Sequence, residues 1–249
     1  WRTILDALHS PSISVIEKRN ISLEVVKKTC PKEINLKGDA LHADIYNIIN
    51  QVQRDIQESR LYPWYWIQEM VWTNDEHDKQ NPVKKFPNKD YARVICDLWY
   101  KEPLLLVPKS RQLLMSWLFS ACYLWDTQFH QGRLNFFQSK KEEDADRLIQ
   151  RTWFIYERQP DWIKGMFPAE YTYCHLRFKG SKSEIWGVPQ GGDQIRSHTA
   201  SGILSDEMAF QPEAEDAYSG AKPTIDGGGR FTGVSSANPG FFFYLVSNR

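Results

Sequence analysis

The run LLLVPKSRQLLMS, Leu104 to Ser116, opens with four consecutive apolar residues and ends where an apolar helical pattern begins. A short, unbroken apolar run is the pattern of a strand buried on both faces of a parallel sheet. Ser116 to Gln128 follows as a helix, apolar on nearly every side and therefore itself buried. A strand passing through a short loop into a helix N-terminus is what a phosphate-binding loop requires, because the unpaired backbone N–H groups there point at an anion. Set against GxxxxGK[ST], Ser116 takes the hydroxyl position. Met115 stands where Lys is expected, and Lys109 and Leu114 stand at the two Gly positions. The pattern therefore fails as a string. The chemistry it encodes survives if Lys109 supplies the phosphate cation from the opposite end of the loop. Leu114 is the costlier departure, since a branched side chain resists positive φ. An ordinary strand-to-helix turn with surface Lys and Arg remains the alternative for this segment alone.

Outward from this run, strands and helices alternate. Arg133–Gln138 reads as a strand and Lys141–Arg158 as a helix, with Ala145, Leu148, Ile149, Trp153, Ile155 and Tyr156 on its apolar face. Residues 171–178 and 183–188 resemble a β-hairpin around Lys179-Gly180. Gly202–Ser205 and Arg230–Ser235 are two further strands. Strands interleaved with helices predict an α/β fold with a mainly parallel sheet covered on both faces. Upstream, Asp44–Arg60 places Ile45, Ile48, Ile49, Val52 and Ile56 at helical spacing, so residues 1–60 read as a helical lead-in to a domain over 61–249. Tyr62–Lys89, rich in aromatics, Pro, Asn and charge, reads as an irregular connector, and a helix resumes over Tyr91–Trp99.

Two more strand ends carry chemistry. Ile203-Leu204-Ser205-Asp206-Glu207 is an apolar strand closing in two acids: the first suits Mg²⁺, and the second suits polarising a water for attack. The strand to Ser235 ends in Ser235-Ser236-Ala237-Asn238-Pro239-Gly240, where Asn238 suits a sensor of the terminal phosphate beside the sheet's switch point. A plain Asn-Pro turn is the other reading of that segment. Three such features in order, each at a strand C-terminus, point to one nucleotide site.

The composition narrows the class without deciding it. Over 249 residues, Lys+Arg 31 balances Asp+Glu 31, and the pI is about 7.2. Whole-chain charge thus gives no support for a nucleic-acid coat or a polybasic membrane binder, although a local basic channel is compatible with it. With 41% hydrophobic and 25% charged residues, the chain is globular rather than disordered. No apolar run approaches the ~20 residues of a membrane span. No secretory signal is visible at Trp1, and the absence of Met there suggests that residue 1 is not the natural start. Cys30, Cys96, Cys122 and Cys174 show no CxxC spacing and read as reduced thiols of a cytosolic protein. The six His have no paired spacing and are assigned no metal.

Taken together, KSRQ-x-x-x-S, the Asp206-Glu207 strand end and the SSANP turn resemble the ATPase domain of the large terminase subunit of tailed bacteriophages, over about residues 86–240. In that family the loop often reads SRQ-x-GK[ST], and some members move the Lys to its first position, as Lys109 does here. The resemblance implies a RecA-like P-loop NTPase. ATP would be held by Lys109, Ser110, Arg111, Gln112, Leu113, Leu114, Met115 and Ser116, and Mg²⁺ by Ser116 and Asp206. Glu207 would be catalytic, Arg111 would touch or sense phosphate, and Asn238 would report loss of the γ-phosphate. Arg196, eleven residues before Glu207, matches the arginine that such motors project into a neighbour's site; a solvated Arg beside Gly191-Gly192 is the alternative. Phe86 and Tyr91 lie where such ATPases hold adenine, and either adenine stacking or simple core packing accounts for them.

The implied function is ATP-driven packaging of double-stranded DNA into a procapsid in the host cell cytoplasm. The expected partners are the portal protein, the small terminase subunit and other copies in a homo-oligomeric ring, with no membrane. Such proteins carry an RNase H-like nuclease domain after the motor. This chain stops at Arg249, so a motor domain alone, without nuclease activity, is expected. Two rivals stand beside this reading: a helicase-like RecA motor, and a degenerate P-loop scaffold that does not hydrolyse, for which Leu114 and Met115 speak.

Overall fold

The computed structural model describes residues 39–191, Ile195 and residues 198–248, with backbone alone at 39–46, 48 and 49. Helices α1 (Asp39–Leu61) and α2 (Pro63–Met70) lead into a two-stranded antiparallel ribbon, β1 (Trp72–Asn74) and β2 (Val83–Lys85). Then follow α3 (Asp90–Lys101), β3 (Leu104–Pro108), α4 (Met115–Phe129), β4 (Leu134–Ser139), α5 (Glu142–Glu157) and α6 (Asp161–Met166). The second half holds β5 (Glu170–Thr172), β6 (His175–Phe178), β7 (Ser183–Pro189), β8 (Gly202–Asp206), a 3₁₀ turn (Met208–Phe210), α7 (Ala214–Asp226), β9 (Arg230–Ser235) and α8 (Phe241–Ser247).

Seven strands form the main sheet in the order β3-β9-β8-β4-β7-β6-β5. The first five run parallel, and β6 and β5 are added antiparallel as the expected hairpin arm. The C-terminal ends of β3, β9, β8 and β4 therefore meet at one edge, the place where open α/β sheets bind ligands. Alternation along each strand feeds two cores. Leu105, Val107, Phe137, Leu204 and Val234 face the cluster built with α2 to α5, while Leu106, Phe136, Ile203 and Phe231 face the one built with α7 and α8. α4 is buried along nearly its whole length beneath the first layer, as its all-round apolarity requires.

One expectation needs correction. The segment over 62–89 is not irregular. Pro63 opens α2 at its first turn, where a missing N–H costs nothing, and Trp72 pairs with Lys85 across the ribbon. Eight helical residues and two strands of three residues are too short to show a period. Residue 60, the expected end of the helical lead-in, lies in the last turn of α1. Ile56 is buried in the main core, and the Trp125 indole N–H donates to the Ser59 carbonyl at 2.5 Å. Residues 1–38 lie outside the described residues, as does Cys30. The three described cysteines are free thiols. Among the described residues no helix is long and apolar enough to cross a membrane.

Candidate active site

At the shared strand edge the loop after β3 curls over the start of α4. Its turn depends on two left-handed residues, Gln112 (φ 63°) and Leu114 (φ 56°). Leu114 thus adopts the conformation that the loop's second Gly would supply, at a cost of about 1–2 kcal/mol for an L-residue. The backbone N–H groups of the first turn of α4 are left facing the loop, as an anion site demands. Lys109 is fixed by its own N–H, which donates to the Ser235 carbonyl at 2.9 Å. Its side chain, 9% exposed, reaches across the edge to Glu207 with Nζ–Oε1 at 2.5 Å.

β8 delivers the two acids to different places. Asp206 is buried and accepts from the Ser116 hydroxyl at 3.0 Å (Oδ2) and 3.3 Å (Oδ1). Burial pushes its carboxyl above the usual range and the Glu207 charge adds to this, against the Ser116 hydrogen bond and the charges of Arg151 and Lys109. Glu207 turns out of the strand in a left-handed conformation (φ 49°). Such strain collects at functional sites. Burial works to raise its carboxyl too, but the Lys109 hydrogen bond and charge and the Ser236 contacts outweigh it and hold it below the usual value. Glu207 Oε2 accepts from the Ser236 N–H at 3.3 Å and from the hydroxyls of Ser235 and Ser236 at 3.3 and 3.2 Å. The catalytic candidate is therefore kept ionised, the form that polarises water.

Two cavities flank the loop. One of about 430 Å³ lies on the acid side, with Arg111, Asp206, Glu207 and Ser236 in its wall together with Lys140, Arg147 and Arg151. The other, about 740 Å³, runs between the loop (Lys109, Gln112 to Trp117) and the β1–β2 ribbon with Lys84 and Lys85. The donor set at Ser116 and Asp206 fits Mg²⁺: one hydroxyl and one carboxylate side by side, with the remaining positions left to phosphate and water.

Most of the expected residues meet here, and some do not. Ser110, Arg111 and Gln112 are exposed on the loop, and Leu113 packs partly against the main core. Met115, expected to bind nucleotide, instead sends its side chain into the core, 2% exposed, so only its backbone N–H is offered to phosphate. Asn238 is absent from both cavity walls; its amide donates to the Ala209 carbonyl at 2.8 Å, behind Glu207, and Ser236 takes the place at the cleft. Phe86, expected to stack on a base, is 3% exposed and packs edge-on against Trp64 at 6.1 Å. Tyr91 is exposed on the first turn of α3 and borders neither cavity, whereas Pro87 and Lys89 border the larger one. Arg196 lies outside the described residues.

The residues that sequence reasoning missed come from α5. Asp144, Arg147, Leu148 and Arg151 recur at three- and four-residue spacing on one face of the helix, and that face lines the smaller cavity. Gly187 of β7 lets α5 lie this close: a Cβ there would sit 3.3 Å from the Ala145 backbone. The spacing was visible in the sequence, and the direction of the face was not.

The loop, the two acids and the polar turn meet at one edge of a RecA-like α/β fold with this strand order. The large terminase of bacteriophage HK97 has a similar fold, with TM-score 0.57 and 10% identity over 71% of this chain and 37% of that chain. This match carries the fold assignment, and it agrees with the resemblance read from the motifs. The chain spans little more than a third of the HK97 protein. Structures of the Thermus phage P74-26 large terminase ATPase domain (TM-score 0.47, 14% identity, 64% of this chain and 69% of that chain) and of the bacteriophage D6E large terminase with ATP-γ-S (0.43, 16%, 60% and 38%) are also similar. No protein-family model and no curated protein matches the chain.

Proposed function

We propose that this chain is the ATP-hydrolysing unit of a large-terminase-like motor that drives double-stranded DNA into a viral procapsid in the host cytoplasm. The observation that carries the reading is the paired geometry at the sheet edge: Ser116 on Asp206 at 3.0 Å and Lys109 on Glu207 at 2.5 Å. The loop N–H groups and Lys109 hold the phosphates of ATP, and the nucleoside occupies the larger cavity. Ser116 and Asp206 would hold Mg²⁺, which supplies neutralisation of phosphate charge. Arriving phosphate draws Lys109 from Glu207. The freed carboxylate orients a water in line with the γ-phosphorus and accepts its proton as the new P–O bond forms and the bond to the ADP oxygen breaks. Arg111 neutralises charge from the loop, and Arg196 does so across a ring of copies. Asn238, tied to the segment after Glu207, passes loss of the γ-phosphate to the elements that grip DNA. Portal protein and small terminase subunit are the partners this role requires.

Phosphate release from Mg-ATP, measured with and without procapsid and DNA, tests the reading. Mg²⁺-dependent turnover that disappears in Glu207→Gln, while nucleotide binding persists, is the expected result. A wild-type chain that neither binds nor turns over ATP under assembling conditions would reduce it to a scaffold.

A further inference from the structure

Of the four cations in the wall of the smaller cavity, Arg111, Lys140 and Arg147 are exposed and Arg151 is half-buried. Among the described residues it makes no ion pair and no hydrogen bond. Its guanidinium lies 5.2 Å from the Trp117 ring centroid, and Trp117 is braced edge-on by Phe154 at 5.4 Å. Arg147, one turn earlier, is paired with Asp144 at 3.2 Å, and Lys109 is paired with Glu207. Burial lowers the Arg151 pKa against the charges of Asp206 and Glu76, which act on it at a distance without forming an ion pair. Taking even part of such a group out of water is costly. It nevertheless has a fixed position, clamped on an aromatic face and opening onto empty space.

That space is specific. Of all the residues around the two cavities, only Ser116 and Arg151 border both. A ligand that runs from the larger cavity to the acid side must pass between them. A single phosphate would satisfy one cavity, and an extended polyphosphate ester is what joins the two. We propose that Arg151 is a phosphate-binding residue acting within its own subunit, its guanidinium fork held against the outer phosphates of a nucleoside triphosphate opposite Ser116. This rests on the reading above and adds to it a cation from α5 that needs no neighbouring subunit.

The test uses the 249-residue chain with Arg151→Met, which keeps bulk without charge, and Arg151→Lys, which keeps charge without the fork. Mg-ATP and Mg-ADP affinities are read by calorimetry, and unfolding midpoints are read without nucleotide. Arg151→Met should lose on the order of 10- to 100-fold in Mg-ATP affinity, as for a lost charge-assisted bond, and less for Mg-ADP. Its nucleotide-free midpoint should be unchanged or raised, because a half-buried charge without an ion pair has gone. Arg151→Lys should recover part of the affinity. Wild-type binding with Arg151→Met unchanged would overturn this inference and leave the proposed function standing. A loss of affinity matched by a lower midpoint and not relieved by lysine would assign Arg151 to packing and overturn it as well. A wild-type chain that binds no Mg-ATP would overturn both.

Discussion

The two walls of the cleft are built on opposite terms. On the strand-end wall the buried and half-buried charges have internal partners: Lys109 holds Glu207, Ser116 holds Asp206, and Ser235 and Ser236 hold the far oxygen of Glu207. On the helix wall, Arg151 lies over a ring without an ion pair, with Asp206 and Glu76 acting on it at a distance, and Arg147 has an exposed pair with Asp144. A satisfied wall must exchange partners when phosphate arrives, so binding there is a competition. A cation without an ion pair has no close partner to give up. The strand ends thus supply the switchable chemistry, and the helix supplies standing charge.

The sharpest break of this contrast is Glu207→Gln. It removes the acceptor for the water proton and one side of the Lys109 pair, and should lower turnover by about 10²–10⁴-fold while Mg-ATP affinity holds or improves. Single-turnover phosphate release beside equilibrium binding reads both. An equal rate in mutant and wild type would take Glu207 out of the mechanism. Met115 comes next, and its effect belongs to stability. Truncation to Ala should cost about 2–5 kcal/mol by denaturant unfolding, whereas Met115→Leu should cost under about 1.5 kcal/mol with nucleotide affinity unchanged. A selective loss of affinity in Met115→Leu would return residue 115 to the phosphate site. The smallest effect is expected at Gln112. It is exposed and left-handed (φ 63°), so Gln112→Gly should gain up to about 1 kcal/mol in chemical denaturation. A clear loss would mean that its side chain holds the loop.

The parallel half of the fold was legible because each element announces itself. Leu104–Val107 and Gly202–Ser205 are continuous apolar runs, and the helix from Ser116 is apolar throughout. Functional groups at strand ends are located by sequence position alone, so Lys109, Ser116, Asp206 and Glu207 could be placed together before any coordinates. The ribbon beside the larger cavity was hidden by three-residue strands, one of them wholly exposed. α7 was hidden by its small residues and by Pro223 inside the helix. Phe86 and Met115 show what chain position alone leaves open. Their positions in the chain suggested contact with nucleotide, but apolar side chains beside a core are drawn into it. Arg151 needed the tertiary structure, because a helical spacing names a face without saying what it meets.

The central claim is that the loop's cation comes from Lys109 rather than from residue 115. Calorimetric titration of Mg-ATP into wild type, Lys109→Ala and Met115→Leu tests it most directly. The account predicts a loss on the order of 10- to 100-fold for Lys109→Ala, the loss of a charge-assisted phosphate contact, and wild-type affinity for Met115→Leu. Unimpaired binding by Lys109→Ala would contradict it: the lysine would then be only the partner of Glu207, and the phosphates would be held elsewhere.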